Sequence, residues 1–241
     1  MRINPPDAVK AINTDCYNCP VRVNSIFSEL NHDSVNELNL AKSCLVVKKS
    51  EIIFEEGAYP HGLFCLRDGK VKIIQTGVDG KEQIVHLAKS GDVMGYRAIL
   101  SSDKYSCSAI AIERSLICYY PLASFKMMVE KEPKLAVKLM ELLSNELKEA
   151  EKTITDLAQK SVKERLAQGI LVLKELYGVG KDGTINVSIT REELANLIGT
   201  ARETATRLLM ELSEEESIAL SGKKIKILNH DYLVKVAHFF S

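Results

Sequence analysis

Between Thr190 and Glu211 the chain reads TREELANLIGTARETATRLLME, and its charged and small residues are spaced for one chemistry. Arg202, Glu203, Thr206 and Arg207 fall on one side of a helix, with Ala205, Leu208, Leu209 and Leu212 on the other. An arginine can donate two hydrogen bonds to guanine O6 and N7, and a glutamate can accept one from cytosine N4. This polar side is therefore a base-reading set for a major groove. The plain alternative is a solvated face carrying a Glu203–Arg207 ion pair. The preceding residues favour recognition: Thr190 and Glu193 form a capping-box pair, Ala195 lets two helices approach, and Gly199 takes a turn conformation that other residues resist. Downstream, Ser217 to Leu228 has a hairpin pattern with Lys223 and Lys224 at its tip and Lys226 in its second strand. A basic tip suits phosphate contacts that fix register without reading sequence, and a solubilising turn is its plain alternative.

A second chemistry lies in the thiols. Cys16-Tyr17-Asn18-Cys19 is a CxxC pair, followed by Cys44, Cys65, Cys107 and Cys118. Six cysteines in 241 residues are too few for a disulfide scaffold, and in a reducing compartment they are thiols or metal ligands. Cys65 and Cys107 lie in strand patterns and read as core. A CxxC oxidoreductase needs a βαβ context, whereas this pair precedes any strand pattern. The histidines His32, His61, His86, His230 and His238 are scattered and read as surface or packing residues. No Ser/His/Asp ordering, Walker-type loop or GxGxxG appears, so nothing supports an enzyme.

These residues need elements to position them. From about Leu45 to Tyr120 short β-branched or aromatic runs alternate with Gly57, Gly69, Gly80 and Gly91, and Asp79-Gly80 is a strong hairpin signal. An antiparallel sandwich or barrel of roughly eight strands follows. After Pro133 the pattern turns helical, with Ala136, Met140, Leu143, Leu147, Ala150, Ile154 and Leu157 at alternating steps of four and three, a heptad seam. So long a stripe predicts pairing with a second copy; packing on the chain's own β domain is the alternative. A further amphipathic helix is expected over Ser161 to Gly178 and a short strand over Thr184 to Ile189. The expected organisation is an N-terminal segment over 1–22, a β sensor domain over 23–133, a dimerisation helix over 134–159 and a DNA-binding domain over 160–241.

Lys+Arg and Asp+Glu balance at 32 each, so no global excess of positive charge announces a nucleic-acid partner. Residues 151–241 are also neutral, with 13 basic and 13 acidic side chains. Any DNA contact must come from placing a few cations on one face. Met1 to Lys10 lacks a secretory apolar core and no stretch reaches 18 uncharged apolar residues, which predicts a cytoplasmic chain with no membrane partner.

Taken together these motifs resemble the Crp/Fnr family of bacterial transcription regulators, over about residues 22–240 and most specifically over Thr190 to Leu209. The resemblance implies an α+β fold: an N-terminal antiparallel β-roll of the cyclic-nucleotide-binding jelly-roll type, a long dimerisation helix and a C-terminal winged helix-turn-helix. It implies a homodimer on double-stranded DNA, a palindromic operator with TGTGA-like half-sites, and RNA polymerase as a partner. Arg202, Glu203 and Arg207 match the base-contacting residues of the family's cyclic-AMP receptor branch, whereas the oxygen-sensing Fnr branch differs at the position of Arg202; Thr190, Thr200, Thr204, Thr206, Lys223 and Lys224 lie toward the backbone. It also locates an effector pocket at Gly95, Tyr96, Arg97, Tyr105 and Ser106. Cyclic-AMP binders carry there a glutamate for the ribose and an Arg-Ser pair for the phosphate; Tyr96 and Tyr105-Ser106 replace them. Arg97, one residue along an expected strand, points to the other face, so cyclic AMP is disfavoured. Cys118 matches the distant cysteine ligand of Fnr iron–sulfur sensors, with Cys16 and Cys19 as N-terminal partners. The third N-terminal ligand position holds Ser25, for which Cys44 is a candidate replacement, and buried or reversibly oxidised thiols are the alternative to a cluster. The rival functions are a ligand-binding module acting on a protein partner and the CxxC redox enzyme. Neither the physiological signal nor the direction of regulation is written in these motifs.

Overall fold

The computed structural model describes residues 15–238, so the reading of Met1 to Lys10 lies outside the described residues. The chain divides into two compact units, with the main division between Glu146 and Leu147 and the short stretch Glu82–Ile84 grouped with the second.

The first unit carries eight strands: β1 (Ser43–Val47), β2 (Ile52–Phe54), β3 (Gly62–Asp68), β4 (Val71–Thr76), β5 (Glu82–Ala88), β6 (Val93–Met94), β7 (Ser108–Ala111) and β8 (Ser115–Pro121). They form two antiparallel sheets ordered β1-β8-β3-β6 and β2-β7-β4-β5. Asp79 takes a left-handed conformation at φ 59° in the turn between β4 and β5, as the Asp-Gly signal predicts. Successive side chains of a strand point to opposite faces. Leu45, Phe64, Leu66, Ile117 and Tyr119 accordingly enter one core with Phe54, Val71 and Ile73 of the other sheet. The intervening Cys44, Leu63, Cys65, Cys118 and Tyr120 enter a second core. That core is closed by the N-terminal segment and by α1 (His32–Ala41), α2 (Tyr96–Ser101) and α3 (Leu122–Lys131), whose Leu38, Ile99, Phe125 and Met128 are buried in it. Because both faces are covered, β3 and β8 read as continuous apolar runs rather than alternating ones.

The long helix α4 (Pro133–Gln159) starts on proline, which suits a first helical position because no intrahelical bond needs its nitrogen. It anchors in the second core through Leu135 and Leu139. Much of the heptad seam stays open to solvent: Met140, Leu147, Ile154 and Leu157 are 57%, 61%, 67% and 43% exposed.

The second unit contains α5 (Val162–Tyr177), α6 (Arg191–Ile198), α7 (Arg202–Glu214), the hairpin β9 (Ile218–Ser221) and β10 (Lys224–Ile227), and α8 (His230–Ala237). Residues 184–189 do not form the continuous strand expected from their alternation. Ile185, Val187 and Ile189 are buried as the pattern requires, but the backbone divides its bonds. Ile185 N donates to Ile225 O at 2.9 Å and Ile189 N to Lys223 O at 3.1 Å, while Asn186 N turns to Gly178 O at 3.0 Å. Only isolated bridges result. Among the described residues no helix is long and apolar enough to cross a membrane.

Candidate functional site

The bihelical motif is fixed at both ends by local chemistry. Thr190 Oγ1 accepts from Glu193 N at 3.0 Å and the Glu193 carboxylate accepts from Thr190 N at 2.9 Å, which satisfies two amides at the start of α6. Thr190 thus spends its hydroxyl on the cap. Gly199 ends α6 at φ 66°, ψ 56°, and a β-carbon there would lie 3.0 Å from Leu157. The turn therefore needs glycine for its angle and its clearance together. Beyond it α7 buries Ala205, Leu208, Leu209 and Leu212 and leaves Arg202, Glu203 and Arg207 exposed, with Thr204 and Thr206 half-buried. Thr206 Oγ1 donates to Arg202 O at 2.8 Å. The Glu203–Arg207 pair of the plain alternative is not what Arg207 makes: its guanidinium lies 3.6 Å from Glu211. Lys223 and Lys224 are exposed at the hairpin tip, where Gly222 has φ 58°. Lys226 packs its stem near Gly183, and its charge acts on Asp182.

Two basic residues of α5 organise this surface from behind. Lys163 Nζ donates to Glu211 and to Glu215, each at 2.6 Å, and Tyr232 Oη donates to Glu215 at 3.0 Å. Two of the four glutamates at the end of α7 thereby share one cation. Arg165 donates from Nε to Ile198 O at 2.9 Å, from Nη2 to Gly199 O at 3.3 Å and from Nη1 to Lys160 O at 2.7 Å. The Lys160–Ser161 junction is braced in addition by Lys160 Nζ on Asp156 (3.0 Å) and on Gln168 (2.7 Å). The end of α4, the start of α5 and the turn of the motif form one hydrogen-bonded unit.

In the first unit the thiols converge. Strand register sets Cys44 and Cys65 directly opposite Cys118, one on each side, and all three point into the second core. Cys16, Cys19, Cys65 and Cys118 line one cavity of about 20 Å³, with Arg22, Lys42 and Arg67 also on its wall. Cys44 is not on that wall; its Sγ lies 2.8 Å from Cys118 Sγ. The CxxC segment is a turn, with Cys19 N donating to Cys16 O at 3.4 Å. Burial, followed by the Cys19 and Asp92 charges, pushes the Cys65 thiol far up from its ordinary value. No cysteine is in a disulfide among the described residues.

Gly95, Tyr96, Arg97, Tyr105 and Ser106 line a second cavity, of about 60 Å³, so the structure brings the expected effector residues together. It corrects their local conformation. Gly95 adopts a left-handed cap at φ 85° and the chain then turns as the helix α2, not as a strand. Arg97 therefore faces the same cavity, where its Nε donates to Glu146 at 2.7 Å. Tyr96 and Tyr105 are buried, Tyr105 stacked on Phe54 with ring centroids 4.2 Å apart. Burial pushes the phenols of both up from their ordinary range, and the Glu146 carboxylate adds to the effect on Tyr96.

Residues 44–132 match the cyclic nucleotide-binding domain family, and residues 164–236 match the Crp-like helix-turn-helix domain family. The regulatory protein HlyX of Actinobacillus pleuropneumoniae is 30% identical over 221 residues, which covers 90% of this chain and 92% of that protein. This chain is a member of the Crp/Fnr family. The fumarate and nitrate reduction regulatory protein of Vibrio cholerae is 29% identical over 225 residues, covering 92% and 90% of the two chains. A CRP/FNR-family transcriptional regulator from Thermus thermophilus superposes with a TM-score of 0.70 at 25% identity, over 81% of this chain and 98% of that one. FixK2 of Bradyrhizobium japonicum shares the fold, with a TM-score of 0.73 at 23% identity over 83% and 99%. The relatives are transcription regulators, not enzymes, and this chain is a DNA-binding regulator of the same type.

Fnr-type sensing implies an iron–sulfur cluster, which needs about four thiolates. The donor chemistry here fits. Soft sulfur ligands of four cysteines face one cavity, the donor type that iron–sulfur chemistry selects. As placed, no three cysteine, histidine or acidic side chains among the described residues stand close enough to hold a metal ion. The sulfurs converge on the cavity without meeting at one point. Sequence reasoning found the helix-turn-helix of this Crp/Fnr chain through its capping box and glycine turn. It missed Lys163 and Arg165, which reach partners 33 to 52 residues away, and it read Cys65 as core, where the structure buries it.

Proposed function

We propose that this regulator acts as a homodimer on a two-fold symmetric operator with TGTGA-like half-sites one helical turn apart, works with RNA polymerase, and senses oxygen or redox state through thiolates of its β-roll. The observation that carries the DNA reading is the exposed Arg202, Glu203 and Arg207 face of α7 opposite its buried leucines. Arginine and glutamate in this arrangement have the hydrogen-bonding capacity for the G·C pairs of such a half-site. Thr190, Thr200, Thr204, Thr206, Lys223 and Lys224 serve the backbone, Thr190 through its position at the helix start since its hydroxyl is engaged. The exposed apolar stripe of α4 supports dimerisation, because burying it against a second copy removes large aliphatic side chains from water. Relatives named for anaerobic regulation support oxygen as the signal. An iron–sulfur centre would supply the oxygen-labile chemistry. Sensing requires that the centre bind one placement of the recognition helices better than another.

The test is a gel shift on a TGTGA palindrome, with the protein purified without oxygen and then exposed to air, over a range of salt. The expected result is specific binding that falls steeply with salt and changes on exposure. Binding indifferent to sequence, or no binding in either state, overturns the DNA reading. Identical binding in both states overturns the sensing reading.

A further inference from the structure

Resting on the thiolate-sensor reading above, we infer that Cys65 is the fourth ligand of that centre, joining Cys16, Cys19 and Cys118 in the role that the family pattern gives to the position of Ser25. Four observations converge on it. Cys65 on β3 is paired in register with Cys118 on β8, so their side chains leave neighbouring strands on the same face of the sheet. That face is covered by the CxxC turn, and these four cysteines, without Cys44, line the cavity between turn and sheet. Ser25 lies on the same wall, but its hydroxyl is committed: Oγ donates to Arg22 O at 2.8 Å and accepts from Phe27 N at 3.2 Å. A serine oxygen is also a harder donor than the thiolates that iron–sulfur chemistry selects. Finally, Arg22 on the cavity wall holds the CxxC turn in place, its Nε donating to Cys16 O at 3.1 Å and its Nη1 to Phe27 O at 3.3 Å.

Cys44 has a different place. The sheet order β1-β8-β3 puts it on the side of Cys118 away from Cys65, so a centre between the sheet and the CxxC turn leaves Cys44 in the packing. Closing the set requires the thiols to lose their protons and the turn to settle on the sheet, which ties ligand binding to the order of the N-terminal segment.

The experiment reconstitutes the full chain with ferrous iron and sulfide under anaerobic conditions. It reads iron and acid-labile sulfide per protomer and the visible absorption, with circular dichroism to verify the fold. Cys65→Ser is expected to lose the visible absorption and most of the iron, while Cys44→Ser retains both. The double change Cys65→Ser with Ser25→Cys restores them by returning a thiol to the same wall. Retention of the full centre by Cys65→Ser overturns the inference, as does its loss in Cys44→Ser with retention in Cys65→Ser. Failure of the double change to regain iron in a folded protein also counts against it. A wild-type chain that takes up no iron or sulfide defeats the underlying sensor reading itself, a separate result.

Discussion

Arg165 Nε donates to Ile198 O at 2.9 Å, joining the first turn of α5 to the end of α6 across 33 residues of chain. The last carbonyls of a helix have no intrahelical donor, and a guanidinium can serve several at once in a fixed fork. With Gly199 O and Lys160 O as its other acceptors, Arg165 couples the turn of the helix-turn-helix to the junction that follows α4. Replacing it by Ala is expected to destabilise the second unit by roughly 2–3 kcal/mol, since charged hydrogen bonds to partly buried carbonyls are lost. Thermal unfolding would measure that cost. Operator affinity should fall more than the unfolding shift alone explains, and Arg165→Lys should recover little, because an ammonium cannot reproduce the fork.

Recognition and anchoring should separate by mutation. Arg202→Ala and Arg207→Ala should each weaken specific binding by roughly 1–3 kcal/mol and relax preference at one base pair. Lys223→Ala and Lys224→Ala should weaken binding to all sequences alike and lower the salt slope by about one each. Titrations on wild-type and single-substituted operators at several salt concentrations distinguish the two patterns.

The seam of α4 makes a prediction about assembly. Leu147 and Ile154 are 61% and 67% exposed within the chain, so Leu147→Lys or Ile154→Lys should leave the fold intact while shifting sedimentation toward the monomer. Operator affinity should drop in parallel because one protomer reads one half-site. Lys148→Glu, exposed but off the seam, should leave the mass unchanged.

Glu215 gives the second unit a pH dependence of known sign. Its hydrogen bond from Lys163 is the largest effect and, with that from Tyr232, holds its carboxyl below the ordinary value of 4.5. A carboxylate whose folded-state pKa is depressed contributes stability above its unfolded value, and that contribution is lost as pH falls through the folded value. Unfolding followed from pH 7 downward should therefore show a decline below about pH 4.5, weaker in high salt because the pair is solvent-screened. Lys163→Met should flatten the decline.

How much of this was legible in the sequence depends on the range of the interactions. Thr190, Glu193 and Gly199 act within three to nine residues, so capping and turn chemistry announce the motif directly. Several strands were legible for the same reason: Gly57, Gly69, Asp79-Gly80 and Gly91 mark the turns after β2, β3, β4 and β5, whereas β1, β7 and β8 have no glycine beside them. Short helices were not: α2 has six residues, too few for a periodic signal, and it begins because Gly95 adopts a left-handed conformation rather than because of its own apolar pattern. Misreading that segment as a strand turned Arg97 away from a cavity it faces. Arg165 escaped because a distant carbonyl is a property of the fold and leaves no local mark.

Strand β8 sends Ile117 and Tyr119 into the core between the sheets and Cys118 toward the CxxC turn, with β1 and β3 bonded to its two edges. A sulfur on such an interior strand cannot be drawn outward alone, because the same backbone seats the core on its other face and is laced to both neighbours. Tension applied at Cys118 must spread sideways through the hydrogen-bond ladders and across into the β-roll interior. In the proposed sensor a pull on Cys118 would therefore be carried by the sheet itself rather than by a dedicated hinge.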